Sequence, residues 1–128
     1  MRIFKNKDVN KWANDIGLND ESLLIAAHEI VTGNYEASLG KKVFKKRVAI
    51  GNKGKSGSGR TIVAFRQGSN VFFMYGFAKG KKSNISPKET KAFQLLAKLY
   101  LAYSDSQLNT AVKEKKLFEV KEEVKGNG

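Results

Sequence analysis

The sequence predicts an α+β fold, in which helices at both ends of the chain pack against a central, mostly antiparallel sheet. Near both ends, apolar residues recur at intervals of three and four, as they do in amphipathic helices. In the middle, β-branched and aromatic residues dominate and that interval is absent. A chain of 128 residues suits one domain with one core, which we expect over residues 1–121, followed by a polar tail over 122–128.

The first elements are a strand and two antiparallel helices. Arg2 to Lys5 predicts the strand, and the helical spacing after it continues until Gly17, which ends the first helix. Asn19 is suited to cap the second helix because acidic residues follow it in the first turn. That helix carries an apolar stripe and ends before Gly33.

Three strands follow in the middle of the chain. The segments rich in β-branched and aromatic residues are Lys42 to Ile50, Thr61 to Gln67 and Val71 to Ala78. The last two are separated by Gly68-Ser69-Asn70, which is typical of a tight turn. These two strands therefore form a predicted hairpin.

The carboxyl-terminal part begins with a strong helix start. Ser86-Pro87-Lys88-Glu89 supplies a capping Ser, a Pro at the first helical position and a Glu two positions later. A second capping box at Ser104 to Gln107 opens a shorter helix. Leu117 to Lys121 predicts a last strand.

Positive charge is segregated along the chain. The net charge is +12, and the segment from Ala37 to Lys88 contains no Asp or Glu. This acid-free segment carries 13 of the 24 Lys and Arg residues: Lys41, Lys42, Lys45, Lys46, Arg47, Lys53, Lys55, Arg60, Arg66, Lys79, Lys81, Lys82 and Lys88. Such a segment is typical of a surface that binds a polyanion, and nucleic acid is the leading candidate.

The composition excludes several classes of function. The chain has no Cys and one His, so thiolate or imidazole metal centres are not expected, and we expect no cofactor. His28 lies outside the acid-free segment and among acidic neighbours, which favours a structural or surface role over a catalytic one. No apolar run approaches the roughly 20 residues that cross a bilayer, and the charged amino terminus is unlike a signal peptide. We therefore expect a cytoplasmic protein with no membrane partner.

The loop from Gly51 to Gly59 contains Gly54-Lys55-Ser56 but does not match a nucleotide-binding P-loop. That motif needs a Gly where this chain has Ala49, and it must lead into a helix rather than a strand. The small residues would instead let the backbone and its cations approach phosphates.

Several runs in this region carry a family resemblance. They are Gly54-Lys55-Ser56-Gly57, then GRTIVAF from Gly59 to Phe65, and FFMYGFAK from Phe72 to Lys79, with Asn84-Ile85 beyond. Together they resemble the RelE-type toxins of bacterial toxin-antitoxin modules. The resemblance implies the RelE-like microbial RNase fold, with a central antiparallel sheet, an amino-terminal helical pair and carboxyl-terminal helices. It also implies a small endoribonuclease that enters the ribosomal A site, cleaves mRNA there and is held inactive by a cognate antitoxin.

The resemblance also implies which side chains surround the scissile phosphate. The candidate catalytic residues are Lys46, Arg60, Lys79 and Lys82. Lys46 would be the general base, Arg60 would hold the phosphate charge, and Lys79 or Lys82 would be the acid or a second clamp. Arg60 stays charged and so cannot be the base. The candidate residues for contact with mRNA and rRNA are Lys45, Arg47, Lys53, Lys55, Arg66, Tyr75 and Lys81.

The chain departs from the family pattern at three places. Gly59 stands where relatives often carry an aromatic residue, so Tyr75 is the nearest candidate for base stacking. Lys79-Gly80-Lys81-Lys82 replaces the usual K-N-E-R, and Ser86 stands where some members carry a catalytic Tyr. Two alternatives stay open beside the nuclease: a non-catalytic nucleic-acid-binding module, and an inactive toxin relative that acts with its antitoxin on DNA.

Overall fold

A six-stranded sheet with four helices forms the protein in the computed structural model, which describes residues 1–50, 58–78, 80 and 85–121. The strands are β1 (Ile3–Asn6), β2 (Ala37–Gly40), β3 (Val43–Val48), β4 (Gly59–Phe65), β5 (Val71–Ala78) and β6 (Leu117–Glu119). The helices are α1 (Lys7–Ile16), α2 (Asp20–Val31), α3 (Pro87–Leu101) and α4 (Asp105–Lys113). The predicted α+β fold is therefore confirmed.

The strands lie in the order β2-β3-β4-β5-β1-β6. Each neighbouring pair is antiparallel except β1 and β5, which are parallel. The chain leaves β1 through α1 and α2 and returns to the sheet at β2, which is one of its two edge strands. The acid-free segment consequently supplies four adjacent strands, from β2 to β5, together with their connections.

Helix boundaries follow the capping signals in the sequence. Asn6 and Asn19 cap α1 and α2, and both predicted capping boxes form, at Ser86 and at Ser104. Gly17 ends α1 in the left-handed conformation, with a φ of 73°. These local interactions satisfy the backbone N–H groups that the first helical turn leaves unpaired.

The predicted hairpin of β4 and β5 is confirmed, but β4 begins at Gly59, two residues earlier than expected. The sequence did not predict β2, whose residues Ala37–Gly40 include poor strand formers. It is a short edge strand that forms by pairing with β3 across a tight turn. The last strand is shorter than predicted and ends at Glu119.

Two apolar clusters cover the two faces of the sheet. We call the side packed by the first helical pair the α1–α2 face; its buried residues include Val9, Ala13, Leu23, Ile30, Val48, Val63 and Phe73. We call the other side the α3–α4 face; its buried residues include Val43, Ile62, Ala64, Met74, Ala97, Leu101 and Leu108. Phe72 also belongs to the α3–α4 face, where its ring lies between those of Phe4 (5.3 Å) and Tyr100 (5.1 Å). Burial raises the pKa of Tyr100.

Trp12 packs against the sheet where two glycines leave room for its ring. A Cβ atom placed on Gly76 would lie 2.2 Å from the Trp12 side chain, and one placed on Gly59 would lie 3.0 Å from it. The first of these distances is a steric clash, so the seat of the indole requires a glycine in β5. The indole thus fixes α1 over the carboxyl-terminal half of β5 and the start of β4.

Arg2 joins the sheet edge at β6 to α4. Its Nε and Nη2 donate to the two carboxylate oxygens of Glu119, at 3.0 and 2.8 Å, and its Nη1 lies 3.3 Å from Asp105 Oδ1. This bidentate hydrogen bonding lowers the pKa of Glu119 and raises the pKa of Arg2.

No helix in the described ranges is both long enough and apolar enough to span a bilayer.

Candidate nucleic-acid interface

Two arginines lie side by side on the α3–α4 face. Strand register pairs Arg47 of β3 with Arg60 of β4, and Arg60 with Phe77 of β5. Side chains alternate between the faces of a sheet, so Arg60 shares its face with Ile62, which is buried beneath α3 and α4. Directly opposed like charges destabilise a strand pair, so the two arginines need a counterion between them.

Glu36 provides that counterion. Its Oε2 lies 3.1 Å from Arg60 Nε and 3.7 Å from Arg47 Nη2. Glu36 reaches this position because its backbone N–H donates to the carbonyl of Lys45, which continues the pairing of β2 with β3. Ser58 adds a second contact, since Arg60 Nη1 donates to its Oγ at 3.2 Å. The Arg60 guanidinium is therefore held on two sides, and its side chain is only 14% exposed.

The next row along the sheet carries a lysine and a tyrosine. Lys45 pairs with Ile62, and Ile62 pairs with Tyr75. The Tyr75 ring lies 5.5 Å from that of Phe93 and 6.0 Å from that of Phe77, measured between centroids. Lys45 and Tyr75 thus lie on the same face as Arg47 and Arg60, which we call the arginine row, one row further along the sheet.

Lys46, the predicted general base, lies on the opposite face of the sheet from Arg60. Its Nζ is 2.8 Å from Oε1 of Glu29 on α2, and its side chain is 7% exposed. The physical reason is strand alternation: Lys46 falls between Phe44 and Val48, which both pack on the α1–α2 face. The structure does not bring Lys46 together with the arginine row.

Arg66 also lies apart from the arginine row, just beyond the end of β4. Its Nη2 approaches the carbonyl of Leu101, at the end of α3, to 3.5 Å. Five other candidate residues lie outside the described ranges, as do most of the glycine-rich loop and the expected tail over 122–128. These candidates are Lys53, Lys55, Lys79, Lys81 and Lys82.

The three departures from the family pattern have structural counterparts. Gly59 lies beneath the ring of Trp12, so an aromatic side chain at that position would collide with it. Gly80 has a φ of 88°, a left-handed conformation that favours glycine. Ser86 caps α3 by accepting a hydrogen bond from the backbone N–H of Glu89, at 3.1 Å.

Glu36 is the residue of this site that sequence reasoning missed. It directly precedes the acid-free segment, and a search for carboxylates within that segment passes over it. The one feature of the sequence that could have indicated Glu36 was its position at the boundary of the acid-free segment. Finding it also required β2, because the pairing of β2 with β3 carries Glu36 back toward Arg47 and Arg60.

The described part of the site therefore consists of two paired guanidiniums, one shared carboxylate, a lysine and an aromatic cluster. No curated protein in the comparison matches the chain. A family model described as the RelE toxin of the RelE/RelB toxin-antitoxin system matches residues 1–120, which is nearly the whole chain. The chain thus belongs to the RelE family of toxins from toxin-antitoxin systems.

Proposed function

We propose that this toxin is a ribosome-dependent endoribonuclease that cleaves mRNA in the ribosomal A site and so inhibits translation. The observation that carries the proposal is the pair formed by Arg47 and Arg60 on the α3–α4 face, whose guanidiniums share the carboxylate of Glu36. The cytoplasm, where ribosomes lie, is then the site of action, and the partners are mRNA, rRNA and the cognate antitoxin.

The paired guanidiniums suit the charge that develops during RNA cleavage. The 2′-oxygen of the RNA attacks the adjacent phosphorus, the bond from phosphorus to the 5′-oxygen breaks, and a 2′,3′-cyclic phosphate forms. Negative charge grows on the non-bridging oxygens in the transition state. Fixed donors aimed at those oxygens stabilise them, and arginine offers two parallel N–H groups to a phosphate. Arg60 and Arg47 are proposed to act in this way.

Glu36 is proposed to be a positioning residue for both arginines. Its Oε2 contacts Arg60 at Nε, so this contact does not occupy the two terminal nitrogens of that guanidinium. Ser58 restrains the same guanidinium at Nη1. A donor whose orientation is fixed before the substrate arrives loses little freedom when it binds, which favours the transition state.

Cleavage also needs a base that accepts the proton of the 2′-hydroxyl and an acid that protonates the leaving 5′-oxygen. Lys45 and Tyr75 lie on the same face as the arginine row, and we propose them for these transfers in place of Lys46. Lys79 and Lys82 remain proposed as a second clamp or acid. They follow Ala78, whose partner Gly59 directly precedes Arg60.

A single-turnover cleavage assay on programmed ribosomes tests the proposal. Arg60→Ala should lower the cleavage rate about 100-fold to 1,000-fold, the usual loss when one such donor is removed. Arg60→Lys should recover only part of the rate, since an ammonium lacks the paired donors. Lys113→Ala, which removes an exposed cation from the last turn of α4, is the matched control.

Ribosome binding is measured alongside cleavage for each variant. Binding by Arg60→Ala should stay close to that of the wild type, because the other cations of the acid-free segment remain. Equal losses of binding and cleavage would assign Arg60 to docking. An absence of cleavage by the wild type, together with intact binding, would favour the non-catalytic nucleic-acid-binding module.

A further inference from the structure

A second cationic feature lies at the other end of the sheet, between the β2–β3 turn and α3. It is a groove of about 720 Å³. Its lining residues are Lys41, Lys42, Arg66, Lys91, Gln94, Leu95, Lys98, Leu101 and Ala102. Five of these are cations, and among the described residues that line the groove there is no Asp or Glu.

Helix α3 forms one wall of the groove with a single stripe of its surface. Lys91, Leu95, Lys98 and Ala102 follow one another at intervals of four, three and four residues, which is the spacing of one helical face. Leu95 is 71% exposed and Leu99, one turn further along, is 51% exposed. On this wall Leu95 therefore lies between two lysines, and the protein's own core does not cover it.

The opposite wall is a turn with an unfavourable backbone. Lys41 and Lys42 have φ values of 50° and 70°, both in the left-handed region. Such positions in a two-residue hairpin turn normally hold Asn or Gly, and a longer side chain costs roughly 1 kcal/mol or more at each. The chain retains two lysines there, and both side chains line the groove. Strain retained at a surface site favours a functional reason for those side chains.

The composition of the groove favours a protein partner over RNA. Single-stranded RNA is bound through aromatic rings that stack on its bases, and none of the described lining residues is aromatic. An exposed leucine flanked by lysines instead complements a helix with apolar residues on one face and carboxylates beside them. The stripe from Lys91 to Ala102 spans about 17 Å at 1.5 Å per residue, which matches about three turns of such a helix.

We propose that this groove is the docking site of an acidic, amphipathic helix of the cognate antitoxin. The proposal rests on the proposed function, because it concerns the inhibitor of the same toxin. The site is separate from Arg47 and Arg60: Lys42, in the turn before β3, precedes Arg47 by five residues, or about 16 Å along an extended strand. Docking here anchors the antitoxin on the toxin without using Arg47 or Arg60, which are proposed to hold the scissile phosphate.

The test measures the affinity of the full-length cognate antitoxin for the full toxin, purified separately from a co-expressed complex. Two groove variants are compared with the wild type: Leu95→Ser, and the double variant Lys91→Ala/Lys98→Ala. Each should weaken antitoxin binding at least tenfold, the double variant mainly at low salt. All three side chains are exposed, so thermal unfolding should be unchanged, and circular dichroism checks this.

Two controls separate this proposal from the proposed nuclease. Lys113→Ala should leave antitoxin affinity unchanged, and Arg60→Ala should change cleavage but not antitoxin affinity. If Arg60→Ala cleaved normally while the groove variants still lost antitoxin affinity, the proposed docking site would be supported and the proposed active site would be contradicted. Groove variants that keep antitoxin affinity within twofold overturn the docking site. So do variants that instead lose affinity for a single-stranded RNA oligonucleotide, because RNA would then be the occupant.

Discussion

Lys46 and Arg47 are neighbours in the sequence, yet they lie on opposite faces of β3 in different electrostatic surroundings. Lys46 is buried on the α1–α2 face, where it pairs with Glu29. Arg47 is exposed on the other face, where it shares Glu36 with Arg60. The first arrangement neutralises a cation within the fold. The second leaves an excess of positive charge at the surface, which is what a polyanion requires.

The same contrast holds between wider regions of the molecule. Lys5 is mostly buried and pairs with Asp20 at 2.7 Å, and Arg2 pairs with Glu119 and Asp105. These pairs join β1 to the helices and to β6, so they stabilise the fold. In the acid-free segment, by contrast, any carboxylate partner must come from outside it. Lys5, Arg2 and Lys46 thus pair with carboxylates from outside the acid-free segment that they do not share with a second arginine, whereas Arg47 and Arg60 share Glu36.

The contrast between the two faces of β3 predicts its largest effect on the rate of RNA cleavage. Arg47→Ala should lower single-turnover cleavage about 100-fold, because it removes one of two donors proposed for the phosphate. The free energy of unfolding should change by no more than about 0.5 kcal/mol, since the side chain lies at the surface. Normal cleavage by this variant, with Lys113→Ala again as the control, would remove Arg47 from the site.

The converse effect is expected at Lys46. Lys46→Met should lower the free energy of unfolding by about 2 kcal/mol, because Glu29 loses its partner against the buried sheet face. The loss stays below that of a fully buried pair since the Glu29 side chain is 44% exposed. Urea denaturation measures this, with Lys45→Met as the matched control. If folded Lys46→Met loses as much cleavage as Arg47→Ala, the distinction between the two faces fails.

A pH-dependent effect is expected where Arg2 holds Glu119. The hydrogen bond lowers the pKa of Glu119 in the folded state. The pair therefore stabilises the protein fully at a pH above 4.5, the ordinary pKa of this carboxyl group. This contribution is lost as the pH falls through the lowered pKa. Glu119→Gln should cost about 1–2 kcal/mol at pH 7. The difference from the wild type should shrink in acid, as denaturation curves at pH 7 and pH 3 would show. A pH-independent difference would mean that the charge of Glu119 does not matter.

The smallest effect is expected at the shared carboxylate. Glu36→Gln keeps an acceptor for Arg60 Nε but removes the negative charge, so affinity for a single-stranded RNA oligonucleotide should rise about fivefold. That corresponds to roughly 1 kcal/mol, the Coulomb energy of one charge pair near 4 Å in water. Glu36→Ala removes the acceptor as well and should lower the cleavage rate. Weaker RNA binding by Glu36→Gln would show that the carboxylate contacts the substrate favourably.

The sequence predicted helix starts well because capping depends on residues that are neighbours in the chain. Ser86 and Ser104 carry complete capping boxes, and both are formed. The candidate site was harder to predict because it depends on which face each side chain occupies. In β3, Val43 and Phe44 are both apolar and pack on opposite faces, so alternation alone does not show which face holds Lys46. Glu36 depended on β2, a strand with a weak local signal.

Because Trp12 packs against Gly59 and Gly76, it is an intrinsic fluorescence probe of this part of the sheet. Trp12 is the only tryptophan in the sequence, and its ring lies behind the two strands that carry Arg60 and Phe77 on their other side. Indole emission responds to changes in its immediate surroundings. Its fluorescence would therefore report on the backbone beneath Arg60 in a titration with RNA, with no dye attached and no residue replaced.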